Sequence, residues 1–385
     1  MSKQEKIQEI EKDEIDLAEL EIKKSYKKSI DKYKKKYSLK LNRFITNILP
    51  SSKDNLKFWV QSFRGKLILI TIILVSIIPF FLNSNLYYRI FMLAMIYAIY
   101  AASWDLISGV TGQLSFGHAT FLGIGGYMCA YFVKFLQINL IIAIIIGAFI
   151  GIFLGLIVAI PTLRLKGPYL ALGTLAFSLL LQQLFNMNAL KGIFFGENGI
   201  PEILNFLLID MRIRFIFVLI VMIISITILL AVSNSKLGTI FKAIRDDENA
   251  TEASGINIVK YKIYAFMISS FFAGIAGGIY ILEQTKVDPS IFGTLYSFYP
   301  VLMACVGGIA TISGSVFGAY FFILSVQIID EVASLILPGQ SEILANLPFL
   351  IFSLILLIVV RFTERGLMEP TIEKTRSIYE LLIGK

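Results

Sequence analysis

The residues best suited to chemistry fall in two stretches. Gly109 to Tyr127 reads GVTGQLSFGHATFLGIGGY and sets Gln113, Ser115 and His118 among glycines inside an otherwise apolar region. Such side chains can exchange hydrogen bonds with a polar solute at membrane depth, where polar groups must face protein or a water-lined cavity. Helices broken in this way often line transport sites. Close helix packing through Gly117, Gly123 and Gly126 explains the same glycines, and the two readings are compatible. His118 is the single histidine of the chain, and alone it reads as a hydrogen-bonded structural residue ahead of a proton carrier. Thr174, also polar and at membrane depth, joins Gln113, Ser115 and His118 as a candidate for lining a path.

The second stretch, Ser235 to Lys262, reads SKLGTIFKAIRDDENATEASGINIVKYK and lies between two long apolar runs. Ile240, Ala243, Ile244 and Ala250 form an apolar side, and Lys242, Arg245, Asp246, Glu248 and Glu252 a charged one, which is the pattern of an amphipathic helix. Gly255 is placed to stop it. A helix of this kind, held at a membrane surface, is suited to receive a push from a soluble partner.

Other chemistries are missing. There is no G-x-x-x-x-G-K-[ST] phosphate loop, so ATP hydrolysis by that machinery is excluded. One histidine and scattered serines make no catalytic triad. Cys129 and Cys305 both lie in apolar runs, so neither a metal site nor a disulfide framework is expected. No catalytic residue, metal or cofactor is expected. Charges inside the apolar runs are sparse, and Asp105 sits at the end of one, which weakens a self-powered transporter.

The elements that position these residues follow from hydropathy. The chain has 385 residues, 56% of them hydrophobic and only 16% charged, which predicts an all-α polytopic membrane protein. Ten spans are expected, about 66–82, 88–107, 116–136, 139–160, 169–186, 214–232, 263–282, 297–312, 314–330 and 346–361, some of them broken by glycine. All Lys and Arg except Arg89, Lys134, Lys191, Arg212, Arg214 and Lys286 fall on the side shared by both termini, which the positive-inside rule makes cytoplasmic. The 235–262 loop lies on that side. The division expected is a Lys-rich cytoplasmic tail over 1–65, a membrane domain over 66–362 and a cytoplasmic tail over 363–385. No cleavable leader is expected, because the first 60 residues lack an apolar stretch followed by a small-residue cleavage site.

In the first tail, Lys-rich and Glu-rich blocks alternate. It reads as a solvated, partly helical segment, or as a polybasic one on the anionic inner leaflet, where each basic residue is worth about 1 kcal/mol. Its many acids argue against nucleic acid. Asn186–Arg212 is the longest external segment, and its GENGI turn makes Asn198 and Gly199 candidates for docking an external protein, with a generic loop as the alternative. Ala273–Tyr280, AGIAGGIY, reads as a packing surface, and Gly307–Ala319, GGIATISGSVFGA, as a tight connection between two short spans.

Three motifs resemble one family. They are G-x-x-G-Q-L-S-F-G-H-A at Gly109–Ala119, GPYLALGTLAF at Gly167–Phe177 with the later N-G-I at Asn198–Ile200, and A-I-R-D-D-E-x-A-x-E-A-x-G-I at Ala243–Ile256 followed by FFAGIAGGIY. Over about 66–365 the chain resembles the LivM-type membrane permease of branched-chain amino acid ABC importers. The last motif is similar to the family's coupling loop, which ABC permeases place against their ATPases. Ala310 and Ser315 depart from the Gly and Pro expected of the family's glycine-rich hairpin, and the 1–65 tail has no counterpart in the usual short-tailed members.

The resemblance implies a permease of the cytoplasmic (plasma or inner) membrane, paired as a hetero- or homodimer with a second permease subunit. It further implies two ATP-binding cassette ATPases and an external solute-binding protein. Arg245, Asp246, Glu248 and Glu252 would make polar contacts with an ATPase, Ile244 and Ala253 would fit its apolar groove, and Gly255 would end the helix. An amino-acid substrate with an apolar side chain brings Phe177 into the expected path. Urea-importer permeases share most of these motifs, and sugar permeases are more distant. Urea or another small solute is therefore the alternative substrate, and a stand-alone secondary transporter the alternative class.

Overall fold

The computed structural model describes residues 78–81, 84–162, 165, 167–200, 210–284 and 286–336, with 353, 354, 357 and 361. The tails 1–65 and 363–385 lie outside the described residues, as do the expected spans 66–82 and 346–361 apart from the positions just named.

Ten helices carry the described fold: α1 Asn85–Asp105, α2 Ala119–Phe135, α3 Leu140–Thr162, α4 Pro168–Asn186, α5 Met211–Ser233, α6 Lys236–Asp246, α7 Glu248–Ala253, α8 Ile258–Gln284, α9 Thr294–Gly307 and α10 Ile312–Ile336. Shorter helical turns lie between α4 and α5 and between α8 and α9. Among the described residues there is no strand, only an isolated antiparallel bridge between Ile200 and Val287. Six helices are long and apolar enough to cross a membrane: α1 with its extension to Val110, α3, α4, α5, α8 and α10, the last to Val332. α2 and α9 are apolar but shorter.

Burial grades the spanning helices, with α10 intermediate at 56%. α1 is buried over 94% of its span and α8 over 78%, whereas α3, α4 and α5 are buried over less than half of theirs. The outward faces of that second group carry Phe149, Phe153, Ile160, Leu172, Ile213 and Ile224, all exposed and apolar. Such faces are what contact with hydrocarbon requires. α8 packs most extensively on α3 and α2, and α1 on α10, α8 and α5.

Glycine makes the tightest seam possible. A Cβ on Gly125 would overlap the Gly274 carbonyl, and one on Gly277 would overlap that of Leu122, so α2 and α8 touch backbone to backbone. Gly151 and Gly155 bring α3 against Ser270 of α8 in the same way. This is the small-residue packing expected of AGIAGGIY, since apolar helices in lipid gain from close approach rather than from escaping water.

The two ends of this assembly carry different polar joints. At one end, Arg89 of α1 pairs with Glu283 of α8 at 2.7 Å, and Arg214 of α5 donates to the Leu282 carbonyl at 3.3 Å. At the other, Asp105 of α1 accepts from the Ala310 backbone N–H at 2.7 Å. α6 and α7 lie at that second end. The expected connection Gly307–Ala319 is shorter than its glycine content implied. The turn occupies only Gly308–Thr311, and α10 starts at Ile312. Gly314 and Gly318 are helical and admit the backbone of α9, so their role is packing rather than turning.

Candidate functional site

Where one helix was expected over 235–255, two form, because Asp247 adopts extended backbone between them (φ −158°, ψ 110°). Ser235 caps α6 by accepting from the Leu237 N–H at 3.1 Å, and Asp247 caps α7 by accepting from the Ala250 N–H at 3.0 Å. The Thr251 hydroxyl lies 2.9 Å from the Ala243 carbonyl and ties the two together. Gly255 then ends α7 with φ +82°, a conformation that costs glycine little.

The break changes which residues face inward. The buried residues of α6 are Leu237, Gly238, Phe241 and Ile244. Ala250, expected on the apolar side, is exposed, because the kink at Asp247 puts α7 out of register with α6. Ile244 is 1% exposed. It packs within the chain, so it is not presented to a partner's groove. Arg245, Asp246, Glu252, Ala253 and Gly255 are exposed. Arg245 and Asp246 pair at 2.9 Å on the surface. Burial, helped by the Arg245 charge, lowers the pKa of the Lys242 ammonium from its ordinary value. A surface cleft of about 580 Å³ adjoins α7, lined by Glu252, Gly255, Asn257, Lys260 and Tyr264 among others.

Glu248 turns the other way. Its Oε1 lies 2.6 Å from the Lys262 Nζ and accepts from the Gln113 Nε2 at 3.0 Å. The Lys262 side chain is 6% exposed. A buried ammonium needs such a partner, because its desolvation is otherwise uncompensated. Beside this trio, Arg245 leans on the glycine-broken segment. Its Nη1 points at the Gly109 carbonyl at 3.5 Å, and its stem covers Gly112, where φ is +74° and a Cβ would crowd it. Leu106–Val110 forms one wide π turn at the end of α1, and the Gln113 N–H closes back on the Ile107 carbonyl. Wide turns of this kind recur at functional sites.

The four expected path residues therefore divide. Gln113 belongs to the charged joint with α7. Ser115, His118 and Thr174 anchor the broken segment to its neighbours. The Trp104 Nε1 donates to the Ser115 carbonyl at 2.6 Å, the Thr174 hydroxyl accepts from the Phe116 N–H at 3.0 Å, and the His118 Nε2 lies 2.8 Å from the Ser103 hydroxyl. All four are buried, so none meets solvent in this conformation. Phe177 is half-buried, one turn along α4 from Thr174.

Sequence reasoning missed Lys262, Ser103 and Trp104. Only Lys262 carried a signal, as the last cation before an apolar run. It also missed five tyrosines, Tyr97, Tyr100, Tyr280, Tyr296 and Tyr299, which stack edge to face where α1, α8 and α9 meet. Pro300 lacks the N–H that would engage the Tyr296 carbonyl within α9, and the Tyr100 hydroxyl donates to that carbonyl instead, at 2.8 Å. On the external loop, Asn198 is exposed but Gly199 is not. Gly199 lies under Val287 and Asp288, where the Ile200–Val287 bridge closes the loop, so it holds the turn and offers no docking surface.

This geometry, a capped pair of surface helices joined by buried charge to a glycine-broken helix, meets the comparisons at one point. The family model described as branched-chain amino acid transport system / permease component matches residues 86–361. The chain belongs to this family. It is 27% identical over 308 residues to the high-affinity branched-chain amino acid transport system permease protein LivM of Escherichia coli strain K12, covering 72% of each chain. The same protein of Salmonella typhimurium is 26% identical over 308 residues, again with 72% of each covered. The probable branched-chain amino acid transport permease protein LivM of Methanocaldococcus jannaschii is 28% identical over 225 residues, covering 55% of this chain and 63% of the relative. No solved structure matches the chain significantly. The family match begins in α1 and runs through α6, α7 and α10, so the joint described above lies inside the shared region.

Proposed function

We propose that the chain is the transmembrane permease subunit of an ABC importer that carries leucine, isoleucine and valine across the cytoplasmic membrane. It is a transport subunit and not an enzyme. ATP hydrolysis belongs to two separate ATPase subunits, and an external binding protein supplies the substrate. A second permease subunit completes the pathway. The membrane domain has about ten spans, including 66–82 and 346–361, with both termini in the cytoplasm. The observation that carries this reading is the capped α6–α7 pair packed on the broken segment of α1, within a family match that covers most of the chain.

The exposed Arg245, Asp246, Glu252 and Ala253 meet the ATPase, and Gly255 fixes where that surface ends. Nucleotide-driven closure of the ATPases moves α6 and α7. Because Glu248 is bonded to the Gln113 side chain and Arg245 to the Gly109 carbonyl, that movement reaches the broken segment, and the spans pass between outward-open and inward-open states. ATP must bind the two states differently for this to occur. Ser115, His118 and Thr174, closed off here, border the path when it opens, and Phe177 meets the apolar side chain of the substrate. Asn198 takes part in docking the binding protein.

Uptake of labelled leucine, with and without the gene, tests the reading. High-affinity uptake that disappears with the gene, and that isoleucine and valine compete but urea and ribose do not, is the expected result. Unchanged leucine uptake together with gene-dependent urea uptake would transfer the assignment to urea.

A further inference from the structure

The exposed and buried charges of α6 and α7 do different things. Asp246 and Glu252 point to solvent, while Glu248 points into the protein. One oxygen of Glu248 serves both Lys262, at the start of α8, and Gln113, in the broken segment. Those two residues lie on different elements, and Glu248 is the atom-level bridge between them. Gln113 is 4% exposed and Lys262 similarly buried, while the Glu248 side chain is 28% exposed, so the bridge is shielded from solvent at its two ends and partly open at its centre. Arg245 reinforces it from α6 at the Gly109 carbonyl and over Gly112. The α1 end that these residues grip is also held by Asp105 to the α9–α10 turn, where Ala310 has φ +66°. A displacement of α7 therefore acts through polar contacts on α8, on the end of α1 and, through α1, on the α9–α10 turn.

We propose that the Lys262–Glu248–Gln113 bridge is the joint that transmits ATPase movement into the membrane, and that Gln113 is a positioning residue of this joint rather than part of the lining of the path. The proposal rests on the function given above. It separates two jobs within one short motif, with Asp246 and Glu252 meeting the soluble partner and Glu248 pulling on the spans.

The test uses the assembled transporter in proteoliposomes, with binding protein and leucine, and reads three quantities: ATPase co-purification, ATP hydrolysis and leucine carried per ATP. Gln113→Leu removes the donor with little change in volume. Its expected effect is normal co-purification and near-normal hydrolysis, with leucine carried per ATP down about tenfold, within the range of couplings between linked sites. Glu248→Lys and Lys262→Glu, each alone, should also uncouple. The double variant should regain coupling, because the Gln113 amide offers an acceptor as well as a donor and can turn to meet the exchanged charges.

Leucine per ATP at the wild-type value in Gln113→Leu would overturn the proposal. A double variant no better than its parents would overturn it equally, even if Gln113→Leu fails to assemble. A loss of transport and hydrolysis in proportion would mark the bridge as a fastening and also count against a joint. If the unaltered chain recruits no ATPase, the proposed function itself falls, which is a different result from all of these.

Discussion

Two glycine-rich regions of this protein look alike as text and behave differently. In the α2–α8 seam, Gly125, Gly274 and Gly277 are helical, and each faces the backbone of a neighbour. In the 109–112 segment, Gly109 lies within a wide turn and Gly112 just beyond it, and they face charged side chains, Asp105 and Arg245. Absence of a side chain serves close contact in the first region. In the second it leaves room for a charge network to reach the main chain. A seam of backbone contacts has no second arrangement of similar energy, since packed interiors deform little. The wide turn is buried as well, but its ties to α6 and α7 are a few side-chain hydrogen bonds, which can be exchanged more readily than packed backbone.

The sharpest way to break that contrast is at the seam. Gly277→Leu forces a side chain into the Leu122 carbonyl, and overpacking costs about 3 kcal/mol or more where the backbone cannot yield. The variant should fail to accumulate, as read by its amount in membranes and by its elution profile in detergent. A well-folded, monodisperse product would remove the idea of a rigid seam.

Changes on the other side of the comparison should spare the fold and stop transport. Gly255→Pro imposes φ near −65° where the chain has +82° and removes the N–H that donates to the Glu252 carbonyl at 2.9 Å. Glu252→Lys reverses an exposed charge. Both should insert normally and abolish leucine uptake, and uptake at the unaltered level in both would sink the assignment of α7 as the ATPase contact.

Smaller effects sharpen the picture. Asp105→Leu leaves the Ala310 N–H without its acceptor, at a cost of about 1–3 kcal/mol, so the melting temperature in detergent should drop measurably. No drop would mean that the α9–α10 turn is held by packing alone. The smallest shift belongs to Asp246→Asn, which loses a surface pair worth about 0–1 kcal/mol. Its melting temperature should match the parent, and a large fall would show that this pair is structural.

Much of this was readable in advance, for a local reason. Eight of the expected spans correspond to helices, and six of these, α1, α3, α4, α5, α8 and α10, are long and apolar enough to cross a membrane, whereas α2 and α9 are shorter, because hydropathy and length decide whether a segment can sit in lipid. Ser235, Asp247 and Gly255 show how local chemistry ends helices. Asp247 also shows its limit, since two adjacent acids do not announce which of them will cap. The site was less legible. Gln113, Ser115, His118 and Thr174 were picked out for being polar in a greasy region, and nothing in their spacing distinguishes a residue that faces a path from one that ties segments together.

By itself the sequence determined that the chain is a helical membrane protein without a P-loop motif, and its motifs pointed to the family. Those properties rest on composition, periodicity and short patterns, each readable within a window of a few turns. Only the tertiary structure decided that Ile244 turns inward, that Gly199 is buried, and that Gln113 meets Glu248 across 135 positions of chain. The physical reason is that a buried polar group takes its partner from whichever helix lies beside it, and which helices become neighbours depends on how all of them pack.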